Sequence, residues 1–465
     1  MKRQECRFSE REVALVVTVA NAITARAEIA DRPLPTRGGK WYTCRMKRRE
    51  FIAMAATAAA TAHAAMGEGC APACPNAGGA QLAATAAVPP RNRQPYSDVD
   101  WDHVVEVHST THGHCTSQQM LDGYLSRGFG LLTLSNYYPS APYVPAAKMT
   151  KNYYRIHNAD IPVMVKGKRT DGPFDWSKII SAWADELPPD LRRELPFTEG
   201  GKLFKPLPDG ILEAPNAEHH SFTDSPMHMC SPGSAFASGT FDARDRFKTR
   251  SHGYHFGTGE PWRTSVSRMI DGLIHPDGGG VTINHPSWSS LQDTHVWEVL
   301  DYDPRVLGIE VYNQSCAPRA AWRWSKAYCE DYWDRALSTG RQCFGFFVPD
   351  WGVTEGVNVL LVPEKSVHAC LRAYRQGNFY GAVKGRGMLR FTSIRFDGAR
   401  LRVTLDKPAR IQLITKLGLV KSCGGTTLDF AVPPAERERH GYLRVRAFTL
   451  GEADETIFSQ PIMLT

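Results

Sequence analysis

A chain of 465 residues is too long for a single ordinary core, so we expect one large domain and one smaller domain. Its hydrophobic content of 42% and charged content of 22% are typical of a soluble globular protein. The formal net charge of +7 is mild, and no Lys/Arg stripe interleaved with aromatic residues occurs, which argues against a nucleic-acid partner.

The N-terminal residues have the pattern of an export signal. Basic residues 47–49 precede an apolar, Ala-rich run and the small-residue site Ala62-His63-Ala64, which is the order of a signal peptide. The twin arginine followed by Glu-Phe-Ile is typical of a twin-arginine (Tat) leader and predicts a periplasmic or secreted protein. The apolar run is too short to anchor, so we expect no stable membrane insertion. We interpret 1–45 as an upstream extension before the true start, 46–65 as a Tat-type signal peptide and 66–97 as a disordered Ala/Gly/Pro linker.

From about residue 98 to 385, short apolar strands alternate with helix-like stretches, which is the pattern of βα units and a parallel sheet. The predicted strands are 103–108, 130–135, 161–165, 281–284, 307–312 and 343–348, and the predicted helices are 117–127, 177–186, 263–274, 320–337 and 365–376. After residue 385 the pattern changes to alternating strands, with a hairpin signal at Asp397-Gly398 and further strands at 409–414, 442–448 and 457–464. The sequence therefore predicts an α/β domain over 98–385 and an antiparallel β-sandwich over 386–465.

Histidines and acids recur where these predicted strands end. Side chains at the carboxyl ends of parallel strands converge on one crevice, and imidazoles with carboxylates suit Zn, Mn or Fe. A single histidine after a strand more often caps an element or packs in the core. Four such sites in sequence order, at 108–114, 218–228, 285–286 and 350, favour a hydrolytic metal centre. The candidate ligands are His108, His112, His114, Glu218, His228, His285 and Asp350.

In order, these pieces resemble the PHP superfamily, named for polymerase and histidinol phosphatase, and more closely its exported bacterial branch with a C-terminal β-domain. The most specific stretches are 279–286, which ends in His285-Pro286, and 307–313; residues 216–220 and 371–380 also agree. The resemblance spans about 98–465. It implies a distorted (β/α)7 PHP-type barrel with a trinuclear metal site at the strand ends, followed by the β-sandwich domain.

The family's metal motifs are altered in this chain. Its opening His-x-His aligns with Glu106 and His108 or, after a longer loop, with His112 and His114. Its Thr-Asp-His after the second strand reads Ser135-Asn136-Tyr137 here, and its final Asp-x-His reads Asp350-Trp351-Gly352. The resemblance with these losses implies one or two divalent ions rather than three, and makes Tyr137 a candidate substrate contact. Glu310 fits equally as a ligand and as a carboxylate that orients a histidine.

The leading interpretation is metal-dependent hydrolysis of a phosphoester or related ester bond in a small-molecule substrate, by metal-activated water, outside the cytoplasm. Residues 166–169 (Lys-Gly-Lys-Arg) are the best basic candidate for a phosphate clamp, although a charge run is usually a solvated face. One alternative is a carbamate or amide hydrolase on the same scaffold. Another is a degenerate binder of a polyol or sugar-like ligand, using the aromatics Tyr137, Tyr138, Trp288, Tyr312 and Trp351. The sequence does not indicate an oligomeric state.

Overall fold

The computed structural model describes residues 93–136, 143, 145–149, 201–220, 222–236, 261–317, 327–353, 355–383, 388–449 and 455–464, and the backbone of 164–165 and 168–169. The predicted upstream extension, the signal peptide, nearly all of the linker, the helix at 177–186 and Tyr137 lie outside these residues. Among the described helices, none is long and apolar enough to span a membrane.

Strands and helices alternate along most of the described chain. The strands are β1 (Val105–Ser109), β2 (Leu131–Leu132), β3 (Met164–Val165), β4 (Lys168–Arg169), β5 (Leu212–Glu213), β6 (Glu218–His219), β7 (His228–Cys230), β8 (Val281–Asn284), β9 (Val306–Asn313), β10 (Phe344–Val348), β11 (Val357–Val362), β12 (Phe379–Val383), β13 (Phe391–Phe396), β14 (Arg400–Thr415), β15 (Gly418–Ala431), β16 (Tyr442–Phe448), β17 (Thr456–Ser459) and β18 (Ile462–Met463). The helices are α1 (Gln118–Ser126), α2 (Trp262–Asp271), α3 (Asp293–Tyr302), α4 (Glu330–Ser338), α5 (Val367–Gln376) and α6 (Arg437–His440), and short 3₁₀ turns lie at Ala146–Lys148, Gln314–Cys316 and Pro434–Glu436.

A five-stranded sheet in the order β10-β9-β8-β7-β6 forms the centre of the α/β part. Strands β8, β9 and β10 are parallel, whereas β6, β7 and β8 pair antiparallel. Every residue of β8, β9 and β10 is buried, as expected for parallel strands that are covered on both faces. Apolar side chains of α2, α3 and α4 pack into one core cluster with this sheet, and those of α5 pack into another.

Local sequence signals explain where the clearest helix begins and ends. In α5 the Ser366 side chain accepts a hydrogen bond from the Ala369 N–H, which is a standard N-cap. Gly377 follows the helix in the left-handed conformation, with φ of 77°, and closes it as a C-terminal glycine. The predicted bounds 365–376 therefore agree closely with the observed helix.

A large antiparallel sheet of nine strands runs in the order β1-β11-β12-β17-β16-β14-β13, with β15 paired to β14 and β18 to β16. The hairpin predicted at Asp397-Gly398 is confirmed, because Phe396 pairs with Leu401 across it. Strands predicted separately at 401–405 and 409–414 form the single strand β14, and β15 was not predicted.

The described residues do not show the predicted (β/α)7 barrel. Strand β1 pairs antiparallel with β11 and so belongs to the large sheet, not to the parallel strands β8–β10. From Glu106 to Ser109 its burial alternates between half-buried and buried residues, which is typical of an antiparallel strand with one face on the core. A separate C-terminal sandwich is not shown either, because β13–β18 continue the sheet that contains β1, β11 and β12. The domain division at 385/386 stays a prediction.

Candidate metal centre

Neighbouring strands of the five-stranded sheet carry most of the candidate ligands. Glu218 lies on β6, His228 on β7 and Glu310 on β9. His285 directly follows β8, and Asp350 follows β10 by two residues. Because these strands lie side by side in the sheet, their polar side chains reach one place.

The loop after β1 joins the same place by backbone pairing with Asp350. The His114 N–H donates to the Asp350 carbonyl at 2.9 Å, and the Asp350 N–H donates to the His112 carbonyl at 3.0 Å. A Cβ at Gly113, between the two histidines, would lie 2.6 Å from the Tyr124 hydroxyl oxygen. Glycine is therefore required here, and the His-Gly-His segment lies against Asp350 like a short extra strand.

Imidazole nitrogens and carboxylate oxygens converge around His112. Its Nε2 lies 3.3 Å from His114 Nε2, 3.2 Å from Glu218 Oε2 and 3.3 Å from Asp350 Oδ1. The Nε2 of His114 lies 3.0 Å from Glu218 Oε2 and 3.5 Å from Asp350 Oδ1. All four residues are buried.

Glu218 lies between two pairs of histidines. Its Oε2 faces His112 and His114, whereas its Oε1 lies 2.8 Å from His228 Nδ1 and 3.6 Å from His285 Nε2. A carboxylate with its two oxygens aimed at different sets of nitrogen donors has the arrangement needed to span two cations.

Three overlapping sets of donor atoms, each within 4.8 Å, are formed by His112, His285 and Asp350, by His112, His114 and Glu218, and by Glu218, His228 and His285. We call these six residues the donor cluster. Within the described part of the chain, Asp350 Oδ1 is buried and makes no hydrogen bond. A buried oxygen that makes no hydrogen bond costs free energy that a bound cation offsets. Mixed imidazole and carboxylate donors suit Zn, Mn or Fe, so these residues fit a divalent metal.

Glu310 contacts two residues of the donor cluster, His112 and His285, without belonging to it. Its Oε1 lies 2.7 Å from Nδ1 of His112, and its Oε2 accepts from the His285 backbone N–H at 2.8 Å. A carboxylate on Nδ1 fixes the ring so that Nε2 points to the other donors. Of the two predicted roles for Glu310, these contacts match the orienting role.

Burial and opposite charges compete at this site. Burial lowers the pKa of His112, but the carboxylates of Asp350 and Glu218 outweigh it and hold the pKa well above its usual range. Burial opposes ionisation of Glu218, yet the charge on His112 keeps the pKa of Glu218 well below its usual range. Burial likewise opposes ionisation of Glu310, and His112 again lowers the pKa. Both shifts favour the anionic form of the glutamates, which is the form that binds or supports a metal, whereas His112 must release its proton before Nε2 can bind one.

Two residues of the donor cluster have a backbone conformation that L-residues rarely adopt. The φ angles are 25° for His285 and 55° for Asp350. Such conformations outside glycine cost on the order of 1–3 kcal/mol and cluster at functional sites. His285 comes directly after β8 and Asp350 two residues after β10, where the backbone turn aims each side chain at the cluster.

His108, also predicted as a ligand, lies apart from the others. It pairs with Val359 of β11, and its Nδ1 lies near Gly128. It belongs to none of the donor sets that the described residues form. Glu106 on the same strand accepts a hydrogen bond from the Tyr380 hydroxyl at 2.9 Å. Of the two alignments that the sequence left open, the structure brings together the pair His112 and His114.

The positions at which this chain differs from the PHP metal motifs make contacts of another kind. The Asn136 side chain accepts from the Cys115 N–H at 2.8 Å and donates to the Cys115 carbonyl at 2.9 Å, so its amide holds a loop. A Cβ at Gly352 would lie 2.4 Å from side-chain atoms of Gln314, whose Oε1 accepts from the Glu355 N–H. The space that a histidine at 352 would enter is therefore filled. Tyr137, and the side chains of residues 166–169, lie outside the described residues.

Sequence reasoning missed two asparagines at the site. The Asn313 amide donates to Glu310 at 2.8 Å and to Asp350 Oδ2 at 3.1 Å. The Asn284 amide lies 3.5 Å from Glu218 Oε1 and donates to Cys230 Sγ at 3.2 Å. Each asparagine is the last residue of a buried strand. The strand-end signal that indicates His285 also covers them once amides are counted with imidazoles and carboxylates.

No protein-family model and no curated protein matches this chain. A crystal structure from Bacteroides vulgatus, of a two-domain protein containing a predicted PHP-like metal-dependent phosphoesterase, matches it at 10% sequence identity. The match covers 74% of this chain and 90% of that chain, with a TM-score of 0.33. A similarity at that level assigns neither fold nor function, which therefore depend on the residues of this chain.

Proposed function

We propose that this chain is a metal-dependent hydrolase that acts on a phosphoester or related ester bond of a small-molecule substrate. The observation that carries the proposal is the donor cluster: six side chains with their nitrogen and oxygen donors together, centred on the buried carboxylate of Glu218. An interior that contains this many desolvated polar groups is costly unless cations or protons join them.

One or two divalent ions are the number that these donors can hold. The three donor sets share His112, Glu218 and His285, and one imidazole nitrogen ligates one ion. Only the carboxylates can serve two ions at once, and Glu218 has the oxygens placed to do so. The Asn136 amide is bonded to the Cys115 backbone and Gly352 has no side chain, so neither adds a donor to these sets.

The other contacts of the site hold these donors in place. Glu310 fixes the ring of His112, and Asn313 holds Glu310 and Asp350 together by donating to both. When bound, divalent ions supply Lewis-acid activation of water and of the scissile bond. The residues of this chain supply a buried, oriented and anionic donor set that keeps such ions at one edge of the sheet.

Elemental analysis of the purified protein tests the proposal directly. We expect one or two equivalents of Zn, Mn or Fe per chain, and hydrolysis of bis(p-nitrophenyl) phosphate or of a simple ester that a chelator abolishes. Glu218→Gln and His285→Ala should each reduce bound metal and hydrolysis at least about tenfold, because each removes a donor shared by two sets.

His108→Gln is the matched control, since His108 lies near the loop but outside the donor sets. It should keep wild-type metal content and rate. Full metal occupancy in both Glu218→Gln and His285→Ala would refute the proposed metal site. Three fully occupied ions per chain in anomalous diffraction would refute the expected number of one or two. Substrates with carbamate and amide bonds in the same screen decide which bond is cleaved.

A further inference from the structure

Two tryptophans at the donor cluster keep much of their surface in solvent. Trp288 is 48% exposed and Trp351 is 38% exposed, although large aromatic side chains in proteins are usually well covered. The Trp351 ring stacks on the His114 imidazole, with centroids 4.1 Å apart and planes inclined by 16°. Trp288 meets His285 and His228 edge-on, at 5.0 and 5.5 Å. Each indole therefore contacts an imidazole of the cluster and still faces solvent.

The two indoles contact histidines that face different oxygens of Glu218. Trp351 contacts His114, which faces Glu218 Oε2 at 3.0 Å. Trp288 contacts His228, which faces Glu218 Oε1 at 2.8 Å. Both indoles therefore border the donor cluster around the central carboxylate.

Backbone contacts hold both residues in tight turns. The Trp288 N–H donates to the His285 carbonyl at 2.9 Å, and the Trp351 N–H donates to Ser315 Oγ at 2.9 Å. The ring positions are therefore tied to those of the donors. By contrast, the Tyr312 ring, expected from the sequence to flank the site, is 2% exposed and its hydroxyl contacts Glu355.

We propose that Trp288 and Trp351 are substrate-binding residues, and that the site takes an ester carrying a flat ring next to the hydrolysed bond. This proposal rests on the proposed hydrolytic function and specifies its substrate class. Indole faces bind rings by stacking and by removing apolar surface from water. The cations held by the donor cluster bind the anionic or polar ester group, while the tryptophan pair (Trp288 and Trp351) binds the ring.

Binding of two phosphonates that differ only in the ring tests this proposal without turnover. Phenylphosphonate and methylphosphonate are titrated into the full chain, loaded with Mn²⁺, by isothermal titration calorimetry. We expect phenylphosphonate to bind about tenfold more tightly, as stacking of one ring on an indole typically provides. Trp288→Leu and Trp351→Leu should each lower this affinity ratio severalfold.

Tyr302→Leu is the control, because Tyr302 is 38% exposed on α3 and its ring packs on Trp262 instead of the donor cluster. It should keep the wild-type ratio. Trp288→Phe and Trp351→Phe keep a ring, and should recover most of the ratio if a leucine variant folds poorly. Manganese content, measured for every variant, separates loss of the metal site from loss of the ring contact.

Equal affinities of the two phosphonates for the wild-type protein would overturn the proposal, as would an unchanged ratio in either leucine variant. Failure of phenylphosphonate to bind the manganese-loaded protein would overturn it too. Failure of the wild-type chain to bind manganese or any divalent ion would instead refute the proposed hydrolytic function.

Discussion

Glu310 is the residue that the sequence left open between a metal ligand and a carboxylate that orients a histidine. It ends up with three contacts and no solvent exposure: one to the His112 ring, one to the His285 backbone and one to the Asn313 amide. A buried carboxylate that accepts from several donors orients them, and the metal affinity of the ligands depends on that orientation. The residue therefore acts on the donor cluster through His112.

We expect Glu310→Gln to lower metal affinity about 10- to 100-fold while the protein still folds. Glutamine brings one oxygen and one amide group, so it cannot accept from His112 and from the His285 N–H with both atoms. Competition with a chromophoric chelator measures the affinity.

Glu106→Gln is the matched control for this variant. Glu106 is a partly buried strand carboxylate bonded to Tyr380, away from the donor cluster. Its replacement should leave metal affinity unchanged. Equal affinities of wild type and Glu310→Gln would show that His112 needs no orienting carboxylate.

At the scale of elements, the contact between β9 and β10 determines where Glu310 and Asp350 stand. Gly308 on β9 pairs with Phe344 on β10, and a Cβ at Gly308 would lie 1.9 Å from the Phe344 carbonyl oxygen. The neighbouring strand is backbone, which cannot move aside as a flexible side chain can. Glycine at 308 is therefore a requirement of close strand packing.

Gly308→Ala should lower the free energy of unfolding by about 3 kcal/mol, since overpacking of a fully buried site at backbone contact forces the strands apart. Urea denaturation followed by circular dichroism measures the change. Bound metal should fall as well, because the two strands lead to Glu310 and Asp350.

Gly424→Ala provides the comparison for this substitution. Gly424 lies on β15, and a Cβ there would meet nothing within 4 Å. We expect a change of less than about 1 kcal/mol for this variant. If Gly308→Ala proved as stable as Gly424→Ala, Gly308 would not be required for the close packing of β9 against β10.

At the scale of the whole molecule, the large sheet is joined to the α/β part by a buried arginine. Arg444 on β16 is 2% exposed and donates to Asp334 at 2.7 Å and to Glu330 at 3.1 Å, both on α4. Its guanidinium also lies 4.9 Å from the centre of the Trp333 ring. Because α4 packs beside the strands that carry the site, this contact ties the C-terminal strands to them.

Arg444→Met should reduce the free energy of unfolding by about 2–3 kcal/mol, because charge-assisted hydrogen bonds are lost at a buried position. Arg402→Met is the control: Arg402 is exposed and pairs with Asp397 at 3.0 Å, and removing a surface ion pair changes stability by about 1 kcal/mol or less. Urea denaturation of both variants measures the difference. Equal stabilities would mean that the contacts of Arg444 do not hold the sheet to α4.

Much of the local structure could be predicted from sequence because its signals are local. Helix α5 was predicted as a helix-like stretch over 365–376, and the serine cap and closing glycine seen in the structure are local signals of the same kind. The hairpin at Asp397-Gly398 was predicted from its turn residues. Strands β8, β9 and β10 were predicted from short apolar runs. The strand-end rule also indicated His285 and Asp350, which follow β8 and β10, whereas Glu218, predicted by the same rule, is the first residue of β6.

Pairing of distant segments could not be predicted in the same way. An apolar run does not specify its partner, so the sequence of β1 fitted a parallel barrel as well as the antiparallel contact with β11 that the structure has. That contact carries His108 away from the donor cluster, and the backbone pairing with Asp350 brings His112 and His114 into it. The residue types and their strand-end positions were determined by the sequence alone. Which of them meet was decided by the tertiary structure, because contacts between distant segments depend on how the strands pair.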